Sequence, residues 1–190
     1  MKDPNYIHAR DKHPVRYKHY GRSGWQNKKQ EDFQYRDYNN YEEYKTHQIQ
    51  KFDEIIKIYG GFSNKIIAKY RITFYNRFKH LHKYLPKSAI ILCAGARQGT
   101  EVEVLHDIGF KNAYGIDLNP GPKNKFVRYG DFMHLDCPDS SLDLIYSNSI
   151  DHAYNLESLF TEHARAIKPK GFVLYDLASG EGGPFESVKW

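Results

Sequence analysis

The sequence predicts an α/β protein: a doubly wound, mostly parallel sheet of about five strands, preceded by two helices and a polar N-terminal arm. Three observations carry this. Short apolar runs alternate with helical patterns through residues 88–190, the order that builds a sheet covered on both faces. The first of these runs, Ile90–Ala94, breaks at Gly95 and passes into a helical pattern, giving a strand, a glycine turn and a helix. Apolar residues at helical spacing fill residues 41–85, ahead of any strand. The 190 residues suffice for one domain with a sizeable core and an extension.

Residues 1–40 are polar, poor in aliphatics and without a sustained period, and are expected to form an extended or disordered arm. Basic residues interleave there with Tyr17, Tyr20, Trp25 and Tyr35, a mixture suited to phosphates and bases. A solvated tail, or a lid that orders over the site, is the alternative. Residues 41–87 are expected to form a helical cover. In its first helix Tyr44, Gln48, Phe52, Ile55, Ile56 and Tyr59 share a face until Gly60-Gly61 stops it. Ser63 caps the second helix, whose face is Ile67, Tyr70, Phe74, Phe78, Leu81 and Leu85, with Pro86 after its end. Tyr44 reads as a packing residue and His47 as either packing or site.

Residues 88–190 are expected to form the ligand-binding domain. After Ile90–Ala94, Thr100 with Glu103 reads as a capping box, and Gly109 is placed to end the helix in a left-handed conformation. Ala113–Asp117 is the second strand. Lys125–Arg128 is the third, beyond the turn Asn119-Pro-Gly-Pro122. Leu142–Ser147 is the fourth and Phe172–Leu177 the fifth, with a helix over Leu156–Ile167 between them. Ligands of such sheets bind beyond the carboxyl ends of the strands, where strand order reverses. Gly95, Asp117, Asp131 and Asn148 all fall at or just after such ends.

Asp117 lies 22 positions after Gly95. An acid at the tip of a second strand accepts from both hydroxyls of a ribose, so the pair describes a nucleoside-containing cofactor. The dinucleotide fingerprint needs two further glycines, and Arg97 and Thr100 stand there instead, which argues against a nicotinamide oxidoreductase.

The stretch resembles motif I of the class I S-adenosylmethionine-dependent methyltransferases, which has glycines at relative positions one, three and five. Gly95 and Gly99 match, and Arg97 replaces the middle glycine. Gly130-Asp131-Phe132, Ser140–Asn148 and Ile167-Lys-Pro-Lys-Gly171 are similar to later segments of that family, in its order, from about Ser88 to about Ala178. The small-molecule branch is nearest. The Asn-Pro-Pro-Tyr signature of amino-methylating DNA enzymes is absent, with Ser147-Asn-Ser-Ile150 in its place. The resemblance implies a Rossmann-like fold, S-adenosyl-L-methionine as cofactor, and methyl transfer to an O or N nucleophile of a small molecule. It implies cofactor contacts from Ala94, Gly95, Ala96, Arg97, Gly99, Asp117, Leu118, Asp131, Phe132 and Asn148. Asp131 would meet the adenine amino group, Phe132 the ring, and His152 would act as base. The family fold has two strands more than the five expected here. Only 13 residues follow Leu177, so a short sheet or a truncated form is expected, inactive or completed by oligomerisation. Phe185 and Trp190 would cover the sheet edge or meet a second chain.

The charge is unevenly divided. Residues 1–87 carry a net of +10 and residues 88–190 a net of −5, so the first half suits an acidic partner: nucleic acid, a phosphorylated substrate or the second half itself. A cofactor-binding protein acting on RNA through this half is therefore a third, non-enzymatic reading. No apolar run approaches bilayer length, and no membrane partner is expected. The charged N-terminus lacks a secretory pattern, and Cys93 and Cys137 make no disulfide framework, so a cytoplasmic location is expected. No metal site is expected: His8, His13 and His19 lie in the arm, and His80 and His82 point to different helix faces.

Overall fold

A computed structural model describes residues 25, 33–59, 63–121, 124–177 and 186–190. The elements in chain order are β1 (Gln34–Tyr35), α1 (Tyr41–Tyr59), α2 (Asn64–Phe78), β2 (Ile91–Ala94), α3 (Thr100–Asp107), β3 (Ala113–Asp117) and β4 (Val127–Tyr129). They continue as β5 (Leu142–Ser147), α4 (Leu156–Ala166), β6 (Ile167–Tyr175) and β7 (Val188–Lys189).

Five of the strands form one sheet in the order β4–β3–β2–β5–β6, every pairing parallel. β2 is central because it is uniformly apolar: all four residues are buried, which suits only a strand covered on both faces. Its alternation divides the core into two layers. Leu92 and Ala94 join Ile116, Ile145 and Leu159 on one side, together with Tyr44 from α1. Ile91 and Cys93 face Phe74 and Phe78 of α2 and Leu105 of α3 on the other. The chain runs outward from β2 to β4 and then returns to β5 on the far side of β2. The order therefore reverses between β2 and β5, and their carboxyl ends open a crevice there.

The first helix spans 41–59 as expected; Phe52, Ile55, Ile56 and Tyr59, assigned to its apolar face, lie outside the described side chains, and Gly60-Gly61 lies outside the described residues. Ser63 caps α2 by accepting from the Ile66 N–H. Gly109 follows α3 at φ +100°, the left-handed stop its position predicts.

Four expectations change. The capping box is not formed: Gly99 is the N-cap of α3, Thr100 is already helical, and Glu103 instead pairs with Arg71 of α2 at 2.6 Å. The third strand begins at Val127, because the Asn124 side chain accepts from both the Phe126 and Val127 N–H groups and holds that turn. The fifth strand begins at Ile167 rather than Phe172. Lys168 to Gly171, expected as a turn before the strand, lie within β6 as an irregularity, with Lys170 at φ +69°. The arm is not unstructured over all of residues 1–40. From Phe33 it is a packed strap: β1 pairs antiparallel with β7, Arg36 is 5% exposed, and its N–H donates to the Ser187 carbonyl at 2.8 Å. The Tyr38 hydroxyl meets His47 Nδ1 at 2.7 Å and Ser187 Oγ at 3.1 Å.

The C-terminal residues therefore pair with the strap, and among the described residues no strand joins the outer edge of β6. Trp190 packs edge-on against Phe33, while Phe185 lies outside the described residues. No helix among the described residues is long and apolar enough to cross a membrane.

Candidate functional site

The crevice begins with the turn after β2. The Gly95 and Ala96 N–H groups both donate to the Ile116 carbonyl, at 2.9 and 3.0 Å, which lays the turn across the end of β3. Gly95 and Gly99 sit at φ +76° and +77°, where a side chain is strained. A Cβ on Gly99 would lie 2.8 Å from Val127 Cγ2, so the turn also needs glycine for space. Arg97 takes φ +41° without being glycine, and Asp117 helps hold it: Oδ2 accepts from the Arg97 N–H at 3.0 Å. Asp117 Oδ1 accepts from the Asn119 N–H at 2.8 Å. Each carboxylate oxygen keeps a further lone pair for a ligand.

α1 lies over the crevice. Tyr44, Gln48 and Lys51 recur at the spacing of one helical face, and all three line it. Two clefts result. One, of about 170 Å³, is lined by Lys51, Tyr70, Phe74, Gln98, Thr100, Glu101 and Asn148. The other, of about 40 Å³, is lined by Tyr44, Gln48, Asp117, Leu118, Phe132 and His152. They meet at Gly95, Arg97 and Ser149, with Ala96 on the first.

Eight residues singled out from sequence thus face the clefts: Gly95, Ala96, Arg97, Asp117, Leu118, Phe132, Asn148 and His152. Ala94, Gly99 and Asp131 do not line them. Ala94 is buried in β2, where its carbonyl accepts from Ser147 Oγ at 2.8 Å. Gly99 shapes the turn from behind. Asp131 turns its carboxylate to neighbours: Oδ1 accepts from the Met133 N–H at 2.8 Å, and Oδ2 accepts from the Tyr41 hydroxyl and lies 3.2 Å from His134 Nδ1. That is an Asx turn clamped by α1. Tyr44 is 1% exposed in a cluster with Tyr38, Tyr41 and Tyr154, as a packing residue should be. His47 is fully buried beneath it, against Tyr38, and not in the crevice.

The charged groups are few and desolvated. His152, in the short 3₁₀ turn Ile150–His152, receives Lys51 Nζ at 2.9 Å from Nε2, with Asp151 3.9 Å away. Burial pulls the Lys51 ammonium down, and the facing Arg97 cation adds to it. Burial pushes the Asp151 carboxyl up, against the pull of Lys51. Glu101, in the first turn of α3, is 6% exposed, and burial pushes it up to about 8.

One supporting residue lies behind the crevice. His163 of α4 is 1% exposed. Its Nε2 is 3.1 Å from the Phe132 carbonyl, which can only accept, so Nε2 carries the proton. Nδ1 then accepts from the Tyr175 hydroxyl at 2.7 Å. His163 in this way fixes the backbone of the residue whose ring faces the smaller cleft.

Residues 92–175 match the family model described as "Methyltransferase domain". They hold the sheet from β2 to β6 and nearly every crevice residue outside α1. This segment carries a methyltransferase domain. The cofactor of that family is S-adenosyl-L-methionine.

A sterol 24-C-methyltransferase of Schizosaccharomyces pombe is 37% identical over 67 residues, which is 34% of this chain and 18% of that protein. One from Gibberella zeae is 36% identical over 73 residues, 37% of this chain and 19% of that protein. The chain thus spans about a fifth of the length of the curated relatives it matches. Two solved structures share the fold. The PH0226 protein of Pyrococcus horikoshii has a TM-score of 0.53 at 21% identity, over 66% of either chain. A candidate S-adenosyl-L-methionine-dependent methyltransferase of Methanococcus maripaludis has 0.51 at 18% identity, over 74% of this chain and 67% of that one.

The methyltransferase domain fits its cofactor in donor chemistry. A left-handed glycine turn lets backbone approach, Asp117 offers lone pairs to hydroxyls, and Phe132 and Leu118 offer apolar faces to a base. Sequence reasoning missed Lys51, Glu101, Ser149 and His163. Lys51 was within reach, since Tyr44 and Gln48 already defined its helical face. Glu101 and His163 carried no local signal, because burial alone sets their roles.

Proposed function

We propose that the chain transfers a methyl group from S-adenosyl-L-methionine to an O or N nucleophile of a small molecule. The observation that carries this is the meeting of Asp117, Phe132 and His152 in one cleft beside the glycine turn of a methyltransferase domain. Asp117 would hold the ribose hydroxyls, Leu118 and Phe132 the adenine, and the turn from Gly95 to Arg97 the middle of the molecule. When bound, the cofactor supplies an activated sulfonium methyl, so the protein has mainly to position the acceptor and remove its proton.

His152 is the base we assign, and Lys51 its positioning residue. Lys51, drawn toward the neutral amine by burial, accepts from the His152 Nε2–H at 2.9 Å, which leaves Nδ1 with a free lone pair to take a proton. α1 supplies Lys51 together with Tyr44 and Gln48, so the same helix covers the crevice and completes the base. The sterol relatives match over less than two fifths of this chain, so their acceptor is not carried over.

The basic N-terminal half supports a second reading, in which the acceptor is RNA. The outer edge of β6, which no strand among the described residues joins, would allow pairing with a second copy. A screen with methyl-labelled cofactor over metabolite and RNA pools tests the choice. Label in small molecules that is lost in His152→Ala supports the proposal. Label confined to RNA favours the second reading, and no label in either pool contradicts both.

A further inference from the structure

A second cavity lies outside the crevice, between the strap and the first turns of α4. It holds about 570 Å³, within the range of pockets that seat a small organic group. Five rings line it: Phe33, Tyr35 and Tyr38 from the strap, Tyr154 ahead of α4, and Phe160 on α4. Arg36 lines it as well. Tyr38 and Tyr154 form the wall toward the crevice. Both pack against Tyr44, with ring centres 5.6 and 5.3 Å away, and Tyr44 lines the smaller cleft. Methyl transfer as proposed uses none of these cavity residues. Two further rings flank them. Trp190 meets Phe33 edge-on at 6.3 Å and is 39% exposed. Trp25 carries two cations: the Arg36 guanidinium lies 4.6 Å and Lys189 Nζ 4.7 Å from its ring centre. Aromatic faces and positive charges thus share one surface, with Phe160 and Trp190 both exposed on it.

We propose that this surface binds single-stranded RNA, with one base among the cavity rings and the flanking phosphates on Arg36 and Lys189. Every base has a flat face that stacks on an aromatic side chain, whatever its identity. Phosphates complement the two cations, and the net +10 of residues 1–87 draws a polyanion to this half of the chain. Glu157 and Thr161 are exposed on the cavity lining. They offer hydrogen bonds to a base edge or to a ribose 2′-hydroxyl, which DNA lacks. An acidic peptide would answer the cations and bring nothing flat for the rings. An uncharged aromatic molecule would fill the rings and leave the cations unanswered. A strand of nucleotides answers both. The inference goes beyond the methyl-transfer reading and does not rest on it: RNA held here is a partner whether or not it is the acceptor.

Intrinsic fluorescence reads this surface selectively. The chain has two tryptophans, Trp25 and Trp190, and both lie on it. A strand that stacks here should quench their emission, and a ligand confined to the crevice should not.

The experiment titrates the full chain with end-labelled oligouridylate and oligoadenylate of about ten nucleotides, followed by anisotropy and by tryptophan emission at several salt concentrations. The matching DNA strands, free uridine and adenosine monophosphates and polyglutamate are the controls. The proteins are the wild type, Phe160→Ala and Lys189→Gln, each checked for folding by circular dichroism. The wild type is expected to bind both RNA strands with quenched emission, and more weakly as salt rises. Phe160→Ala is expected to weaken them about 5- to 150-fold, the range for losing one base–aromatic stack. Lys189→Gln is expected to reduce the slope of log affinity against log salt by about 0.7, the value for one phosphate contact on a single strand. Should Phe160→Ala not fold, the salt slope of Lys189→Gln decides alone. Absence of RNA binding at low salt, or binding without quenching, overturns the proposal. So do affinities unchanged in a folded Phe160→Ala and an unchanged slope in Lys189→Gln. Equal affinity for DNA, for the monophosphates or for polyglutamate overturns the assignment to RNA.

Discussion

Lowering the pH from 7 to 4.5 should remove stability through His163. Burial holds this imidazole at about 4 in the folded chain, against an ordinary value near 6.5. Between those values the unfolded chain binds the proton and the folded chain does not, so stability rises with pH across the window. The contribution is complete above about 6.5 and is lost as pH falls toward 4. At 1.36 kcal/mol per unit, the gap amounts to about 3 kcal/mol at most. Other groups titrate nearby. Glu101 and Asp151 are pushed up by burial and act in the opposite sense, losing stability as pH rises. Glu162 is held low by its hydrogen bond to Arg165 and acts mainly at the acid end. The comparison is therefore with His163→Gln, which does not titrate. Urea midpoints at pH 7, 6, 5 and 4.5, followed by circular dichroism, give the two curves. The wild type should lose about 2–3 kcal/mol more than the variant over this range. Equal losses would show that His163 is charged, or exposed, in the folded protein. The added proton falls on Nδ1, so acid disturbs the bond from the Tyr175 hydroxyl and leaves the Nε2–H bond to the Phe132 carbonyl in place.

Three further outcomes follow from the geometry. Gly99→Ala places a Cβ 2.8 Å from Val127 Cγ2 at φ +77°, and should destabilise by about 1–3 kcal/mol in a thermal melt; an unchanged melt would show a turn more yielding than described. Deleting residues 1–40 removes the β1–β7 pairing and the Tyr38 hydroxyl between His47 and Ser187, so the truncated chain should melt well below the parent. A parent-like melt would restore the view of the whole arm as dispensable. Once an acceptor is known, His152→Ala should lower turnover about 10²–10⁴-fold with cofactor affinity nearly unchanged. Surviving turnover with weakened cofactor binding would make His152 a binding group.

The sheet was legible because buried parallel strands announce themselves as apolar runs and β2 is apolar throughout. Gly95 and Asp117 were legible because a tight turn and a strand-end acid are local features. Where the sequence misled, distant parts decide. Glu103 was read as a cap partner, yet Arg71 from α2 takes it. The strap showed no period because it contributes single residues, Arg36 and Tyr38, to partners about 150 positions away. Asp131 has the right place in the chain but faces Tyr41, which only the packing of α1 reveals. Lys51, Glu101 and His163 are ordinary polar residues until burial gives them unusual proton affinities.

The central claim is that the crevice at Gly95 and Asp117 binds S-adenosyl-L-methionine. Calorimetric titration of wild type and Asp117→Ala with S-adenosyl-L-methionine, and of the wild type with a reduced nicotinamide dinucleotide, tests it most directly. The account predicts one saturable S-adenosyl-L-methionine site, weakened by about 1–3 kcal/mol in a folded Asp117→Ala, and no nicotinamide binding. Nicotinamide binding in place of S-adenosyl-L-methionine, or an affinity unchanged by Asp117→Ala, would contradict it.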